Sequence, residues 1–321
     1  MFEENVILAP YTNYKIGGPA RFFFTAKNAE ELTQAITKAK AENLKFFILG
    51  GATNVLFSDE GFDGLVIKLE LNKIKLEAGE KVRVGASTPV KTLLEFLIEN
   101  SLSGFEWAGG LPGTIGGAIY GNAGAFGGET KDNITEVVSI NVKTGQSENR
   151  NNADCHFGYR MSIFKERAFK DQDANAPSYV PPKDVIVEAV FQLARGNQES
   201  IQASAQEKIN YRNERQPIEY PNIGSIHKNV DLKKVPKEVA KKYASQIKVD
   251  PFPVMPTALL ISEAGLKGKT IGQAQVSEKH PNFIINLGGA KASDVHDLAQ
   301  LVKDTIKEKF NIELEREVIF L

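Results

Sequence analysis

The chain has 321 residues, 42% of them hydrophobic and 25% charged, with 39 Lys plus Arg against 40 Asp plus Glu. That length suits two or three domains of ordinary globular composition, and a net charge of −1 gives no reason to expect nucleic acid or an anionic membrane as the main partner. Cys155, the single cysteine, excludes an internal disulfide framework and a cysteine-based metal site, and the four histidines are too scattered for a metal cluster, so no metal is expected and the cytoplasm fits.

The opening MFEENVILAPYTNYKIGG has acidic residues where a signal peptide carries positive charge, and no run approaches the roughly 18 apolar residues of a membrane span. An extended segment ends at Ile16-Gly17-Gly18-Pro19-Ala20, and residues 21–24 resume as a strand. Asn28 reads as an N-cap with Glu31 three residues on. The helix it opens has Leu32, Ala35, Ile36 and Ala39 on one face and stops at Asn43. Residues 45–49 form a short buried strand that runs into Gly50-Gly51-Ala52-Thr53-Asn54, which completes a small α/β unit. That turn is either an ordinary tight turn or a phosphate-contacting loop, and it lacks the GxGxxG spacing that would decide by itself.

Residues 65–67 and 82–85 read as strands, followed by Thr88-Pro89 as a cap and first helical residue, and by a helix buried through Leu93, Leu94, Leu97 and Ile98. The helix leads into residues 104–129, GFEWAGGLPGTIGGAIYGNAGAFGGE, which hold ten of the 27 glycines and no charge between Trp107 and Gly128. Glycine at this density is costly to order. It suits a backbone running against a large flat ligand, with N–H groups turned to phosphates. A packed turn cluster or a linker are the plainer readings, and the interleaved Leu111, Ile115, Ile119, Tyr120 and Phe126 speak against a linker.

Residues 134–142 and 185–193 read as strands, so an α+β domain spans roughly 66–197. Between them, residues 155–165 surround Arg160 with aromatics; the arginine is either a surface residue stacked on a ring or a desolvated cation that fixes a carboxylate. Residues 199–213 read as a helix with Ile201, Ala205, Ile209 and Tyr211 apolar, followed by Arg212, Arg215, Ser225, Lys228 and Asn229 in a Pro-rich loop suited to an anion such as a diphosphate. No G-x-S-x-G elbow surrounds Ser225, which argues against a hydrolase nucleophile. Residues 258–261 form a helix core with Gly265 as its C-cap, residues 283–286 a strand, and Ser293 the cap of a last helix with Val295, Leu298, Leu301, Val302, Ile306 and Phe310 inward. Residues 312–321 end the chain, with Glu313, Glu315 and Glu317 on one face if they form a strand.

Six blocks, in order, resemble the UDP-N-acetylenolpyruvoylglucosamine reductases, the MurB family, along nearly the whole chain: residues 16–20, 49–56, 111–118 with 122–125, 157–164, Gly224-Ser225 with Lys228-Asn229, and 314–318. The resemblance implies a cytoplasmic flavoenzyme of peptidoglycan precursor synthesis. NADPH reduces a tightly bound FAD and leaves, and UDP-N-acetylglucosamine enolpyruvate is then reduced to UDP-N-acetylmuramate. It implies an α+β fold, with an FAD-binding domain pair of the vanillyl-alcohol-oxidase type and a smaller C-terminal substrate domain. The expected division is 1–65 and 66–197 for the flavin, with 308–321 packing back on the first part, and 198–307 for the substrate.

The family's proton donor falls on Ser225, and its other active-site positions fall on Arg160 and Glu317. FAD contacts are expected from Gly50, Gly51, Ala52, Thr53, Asn54 and Val55, and from Leu111, Pro112, Gly113, Thr114, Gly116, Gly117, Ala118, Asn122, Ala123 and Gly124. Substrate contacts are expected from Tyr159, Arg212, Arg215, Lys228, Asn229 and His280. A monomer with small-molecule partners, and neither nucleic acid nor membrane, is implied. Three departures stand out. Ala52-Thr53 replaces the usual Gly-Ser, His227 stands where phenylalanine is usual and raises a pH-dependent substrate affinity, and the short 195–225 segment lacks the tyrosine-bearing insertion that closes over the substrate in the other subtype. The alternatives are a related flavoprotein oxidase of sugars or alcohols, and a nucleotide-sugar binding protein without catalysis. The retained Arg160, Ser225 and Glu317 weigh against the second.

Overall fold

The computed structural model describes residues 2–166, 181–249 and 252–321. They form two compact units, neither continuous in sequence. The first comprises Met1–Val6, Ala20–Gly51 and Phe62–Arg212, and the second Ile7–Pro19, Ala52–Gly61 and Asn213–Leu321. The chain passes from one to the other within the early glycine turn, between Gly51 and Ala52.

The first unit has two sheets. One is four-stranded, in the order Glu3–Ile7, Pro19–Ala26, Phe62–Leu69, Phe46–Leu49, with the last three parallel. Its helix α1, Ala29–Ala41, starts as the sequence predicts. Asn28 Oδ1 accepts the Glu31 N–H at 2.9 Å and the Glu31 carboxylate accepts the Lys27 N–H at 2.8 Å, which satisfies amides that have no partner inside the helix. Leu32, Ala35, Ile36 and Ala39 are buried with Phe46, Leu65 and Ile67. At the far end Asn43 takes a φ of 55°, and the Leu44 N–H closes back on the Ala39 carbonyl at 2.8 Å.

The second sheet of this unit is antiparallel, in the order Ser147–Asn151, Ile134–Asn141, Asp184–Gln192, Lys81–Gly85, Ile74–Glu77. Strict alternation sends Val82 and Val84 into the core, and Arg83 to the other face against Glu77, Glu136 and Glu188. On the core face lie α2, Val90–Glu99, and the short α3, Ile115–Gly121, with Phe105 edge-on to both Trp107 and Phe191. Thr88 does not cap α2. Pro89 occupies the cap position, and the buried Thr88 hydroxyl has no hydrogen-bond partner among the described residues. The backbone there is committed elsewhere: the Thr88 carbonyl accepts the Ile115 N–H at 2.9 Å, and the Val90 N–H donates to the Gly113 carbonyl at 3.0 Å. The entry to α2 is thus a splint for the glycine stretch. Helix α4, Gln198–Arg215, buries Ile201, Ala205 and Arg212, while Tyr211, expected on its apolar face, is 43% exposed.

The second unit closes around α7, Ala292–Phe310, with α5, Lys237–Lys242, and α6, Thr257–Glu263, beside a three-stranded meander, Thr270–Ile271, Ala274–Val276 and Ile284–Asn286. Val295, Leu298, Val302, Ile306 and Phe310 of α7 share a core with Tyr14, Ile16 and Leu56 from the early segments and Leu314 and Val318 from the end. Gly265 follows α6 with a φ of 79°, as its place after the helix predicts.

Two expectations fail here. Ser293 lies inside α7 rather than capping it. The cap comes from Asp59, whose carboxylate accepts the Ala292 N–H at 2.7 Å, the Ser293 N–H at 3.0 Å and the Ser293 hydroxyl at 2.9 Å. Burial works against the Asp59 carboxylate, but these donors and Lys291 hold its pKa below the ordinary range. The C-terminal residues do not form one strand. Only Ile319–Phe320 pairs regularly, parallel to Val55–Leu56, because the preceding residues bond to an irregular partner at residues 226–228. Among the described residues no helix is long and apolar enough to cross a membrane.

Candidate active site

In the first unit the two glycine segments back one another. A Cβ on Gly51 would stand 2.8 Å from the Gly113 Cα, and one on Gly50 would stand 3.0 Å from Thr114 Oγ1. At Gly51 the neighbour that excludes a side chain is backbone, and at Gly50 it is the Thr114 hydroxyl. Thr114 caps α3, its hydroxyl accepting the Gly117 N–H at 3.4 Å, and the first turn of α3 holds no acidic residue that would compete with an anion. Some of the glycine density has a plainer cause: a Cβ on Gly128 would run into the Trp107 ring.

Asn122 ends α3 in the left-handed conformation and is fully buried. Its Nδ2 donates to the Gly158 carbonyl at 2.9 Å and its Oδ1 accepts the Lys131 N–H at 3.1 Å, so its side chain ties the glycine stretch to the turn that carries Arg160. That turn is closed by Gly158 and Met161, each donating to the other at 3.0 and 3.1 Å, with Tyr159 and Arg160 between. Arg160 has a φ of 55°, at a position where glycine is usual. Such a conformation costs a side-chain-bearing residue about 1–2 kcal/mol. The surroundings hold it there: Arg160 Nη2 donates to the Gly124 carbonyl at 3.0 Å, the guanidinium lies 5.1 Å from the Tyr159 ring centroid, and Lys165 Nζ donates to the Arg160 carbonyl at 3.1 Å. Gly124 begins a small hairpin, Gly124–Ala125 with Gly128–Glu129.

A second guanidinium joins this group. Arg212 is 7% exposed, its Nε donates to the Gly109 carbonyl at 2.8 Å, and it lies 5.1 Å from the Phe126 ring centroid at the hairpin tip. Its Nη2 is buried with no hydrogen-bond partner among the described residues. Burial, and then the charge of Arg160, push its pKa down to about 10. A buried cation with an idle donor is poised for an anion. Arg215, also expected at the substrate, is exposed.

The second unit assembles Ser225, Lys228 and Glu317. Ser225 pairs with Phe283, and His227 with Arg316, on an extended segment that follows Gly224. The Glu317 N–H donates to the Ile226 carbonyl at 2.8 Å, and the Lys228 N–H to the Glu315 carbonyl at 2.9 Å. Lys228 Nζ lies 3.2 Å from the Glu315 carboxylate, which also takes Lys234 at 2.6 Å. Asn54 Nδ2 donates to the Glu317 carbonyl at 3.3 Å, and the Asn54 carbonyl accepts the Ile319 N–H at 3.0 Å. The early loop therefore supports the catalytic candidate at the C-terminus. Ala52 takes a left-handed φ of 48°, a conformation that favours glycine. Asn229 Oδ1 is engaged by the Thr257 N–H at 3.2 Å.

His227 is 4% exposed, and burial, reinforced by Arg316 and Lys303, pushes its pKa down to about 3. It stays neutral near neutrality, which removes the pH-dependent substrate affinity expected of it. His280 is likewise pushed down to about 4 by burial and stands edge-on to Phe283, its ring centroid 4.7 Å away. Sequence reading missed Asn282, whose carboxamide brackets His227, and Asp59; Asn282 shows only a polar residue after a proline, and Asp59 only an acidic residue in a polar turn.

The amino acids at 216–321 match the model of the UDP-N-acetylenolpyruvoylglucosamine reductase C-terminal domain, and those at 20–148 match an FAD binding domain. The chain is 38% identical over 318 residues to the UDP-N-acetylenolpyruvoylglucosamine reductase of Fervidobacterium nodosum, covering 98% of this chain and 90% of the relative. The chain belongs to the UDP-N-acetylenolpyruvoylglucosamine reductase family. Reductase 1 of Bacillus cereus is 36% identical, with 98% and 92% covered. The crystal structure of the MurB reductase from Thermus caldophilus superposes with a TM-score of 0.75 at 29% identity, covering 100% of this chain and 99% of that one. The α+β class expected from the sequence, with a flavin-binding part and the reductase's C-terminal domain, is the one found.

Proposed function

We propose that Arg160, Ser225 and Glu317 carry the chemistry of the family's reaction in this chain, with Arg212 and Lys228 as the principal holders of the substrate's anionic groups. The protein is an FAD-dependent oxidoreductase that reduces UDP-N-acetylglucosamine enolpyruvate to UDP-N-acetylmuramate with NADPH, a step of peptidoglycan precursor synthesis and hence of cell-wall biogenesis, cell shape and division. This sets aside the oxidase and the non-catalytic binding protein. The cytoplasm, a monomeric state, and the absence of nucleic-acid and membrane partners are part of the proposal. So is the division of labour along the chain, with 1–65 and 66–197 for the flavin and 198–307 for the substrate.

The single observation that carries the flavin assignment is the close approach of the two glycine segments, where a Cβ on Gly51 would meet the Gly113 backbone, beside the acid-free start of α3. Backbone N–H groups there suit a pyrophosphate, which would be held by residues 50–55 and 111–124. Bound FAD supplies the hydride once NADPH has reduced it. An enol ether is electron-rich, so hydride addition requires its carboxylate to be polarised by a cation. Arg160 supplies that cation in a fixed orientation and holds the charge that develops on the substrate carboxylate. Ser225 gives its hydroxyl proton to the neighbouring carbanion-like carbon, which is more basic than an alkoxide. Glu317, whose N–H is fixed on Ile226 one residue from Ser225, polarises the same intermediate or shares its proton. Tyr159, Asn229, His280 and Arg215 complete the proposed substrate set.

The test is anaerobic. The yellow holoenzyme is bleached with NADPH, and the enolpyruvyl sugar nucleotide is then added. The flavin absorbance is expected to return at once, and failure of that substrate to restore it would sink the reading.

A further inference from the structure

Ser225 sits on a segment whose neighbours come from elsewhere in the chain. Residues 315–317 flank one edge through the Glu317 and Lys228 N–H groups. On the other edge a single residue makes three bonds. The Asn282 carbonyl accepts the Ile226 N–H at 2.8 Å, its Oδ1 accepts the His227 N–H at 3.2 Å, and its Nδ2 donates to the His227 carbonyl at 2.7 Å. Asn282 is 3% exposed, and the next residue, Phe283, pairs with Ser225. The residue before it is Pro281, which has no N–H to give. The carboxamide, with its donor and acceptor side by side, stands in for the missing peptide group. Without it, both backbone groups of the buried His227 lose their partner on that edge.

We infer that Asn282 is a positioning residue for the proton-donating step. By fixing the backbone of Ile226 and His227 it fixes the direction in which Ser225 presents its hydroxyl, an inference that rests on Ser225 being the donor. Proton transfer tolerates little misplacement: an error near 1 Å costs about 100-fold. Asn286 provides the comparison. It is equally buried at 3%, donates to the Tyr14 carbonyl at 3.0 Å, and accepts the Gly288 and Ala290 N–H groups at 2.9 and 3.0 Å, yet its side chain bonds to nothing in the Ser225 segment.

The experiment follows both half-reactions of the holoenzyme by anaerobic stopped flow, in Asn282→Ala, Asn286→Ala and Ser225→Ala. Asn282→Ala is expected to slow reoxidation by the enolpyruvyl substrate about 10- to 100-fold while changing reduction by NADPH less than about twofold. Asn286→Ala is expected to lower Tm comparably and slow neither step. Should Asn282→Ala yield no flavin-containing protein, Asn282→Asp keeps the volume and the acceptor for the His227 N–H, loses the donor, and is read by the same criteria. Equal slowing of both half-reactions by the Asn282 variant, or behaviour matching Asn286→Ala, overturns the inference. If Ser225→Ala leaves reoxidation intact, the donor assignment itself falls; if Ser225→Ala is slow and the Asn282 variant is not, only the role of Asn282 falls.

Discussion

Arg160 stands on a two-residue turn closed by Gly158 and Met161, its immediate neighbours in sequence, whereas Ser225 stands on an extended segment bonded to residues 282–283 and 315–317. The first arrangement is local and strained: a left-handed backbone persists because the side chain is tied to Gly124 and the carbonyl to Lys165. The second is unstrained at Ser225 itself, and its left-handed φ falls on Gly224, where it costs little. One reactive group is thus held against backbone strain by contacts of its own turn and side chain, and the other by the meeting of distant segments. The two should respond differently to substitution.

The largest effect is expected at the ladder. Ser225→Ala should leave flavin reduction by NADPH nearly intact and slow the second half-reaction by about 10²–10⁴-fold, the usual worth of a positioned proton donor, as read from stopped-flow traces. Equal slowing of both halves would count against its role.

The next effect is on stability and belongs to the same segment. Because the pKa of His227 is depressed to about 3 in the fold, its contribution is fully present above the unfolded value near 6.5 and is lost as pH falls towards 3. At pH 5 the loss is about 2 kcal/mol. In His227→Phe, the drop in unfolding free energy between pH 7 and pH 5 should shrink by about that amount in denaturant titrations. An unchanged drop would mean that the ring is protonated in the fold.

In the first unit, Gly51→Ala puts a methyl group 2.8 Å from the Gly113 Cα, so the backbone must move. Overpacking of this kind costs about 1–3 kcal/mol, and FAD affinity measured by flavin release should weaken about tenfold or more. The smallest effect isolates the strain. Arg160→Gly and Arg160→Ala both remove the guanidinium and should lose substrate-dependent reoxidation alike. The glycine variant alone relaxes the left-handed backbone and should be about 1 kcal/mol more stable to urea than the alanine variant. Equal stabilities would show that the turn stores no strain.

What was legible in the sequence follows the same contrast. The capping box at Asn28 and Glu31, the buried stripe of α7 and the glycine after α6 are written within a few residues, and each forms as read. Both glycine segments stand out as candidate phosphate-contacting loops, but nothing local in either shows that Gly50–Gly51 packs on Gly113–Thr114. Thr88 and Ser293 looked like caps and are not, since residues 113–115 claim the backbone at Thr88 and Asp59 reaches the start of α7 from far along the chain. The alternating glutamates suggested a long last strand, but only Ile319–Phe320 finds a regular partner. Asn282 escaped notice because nothing near it in sequence reveals that Pro281 leaves a ladder position without a donor.

The second unit draws Ile7–Pro19 and Ala52–Gly61 into a core completed by α7 and the last residues. On a ribosome, Tyr14, Ile16 and Leu56 emerge long before α7, Leu314 and Val318, with which they share a core. At about 5–20 residues per second they stay uncovered for roughly 15 s to a minute. Over that interval the early apolar residues are exposed to whatever chaperone or stray contact arrives first, and the pair of Ile319–Phe320 with Val55–Leu56 joins segments far apart in sequence.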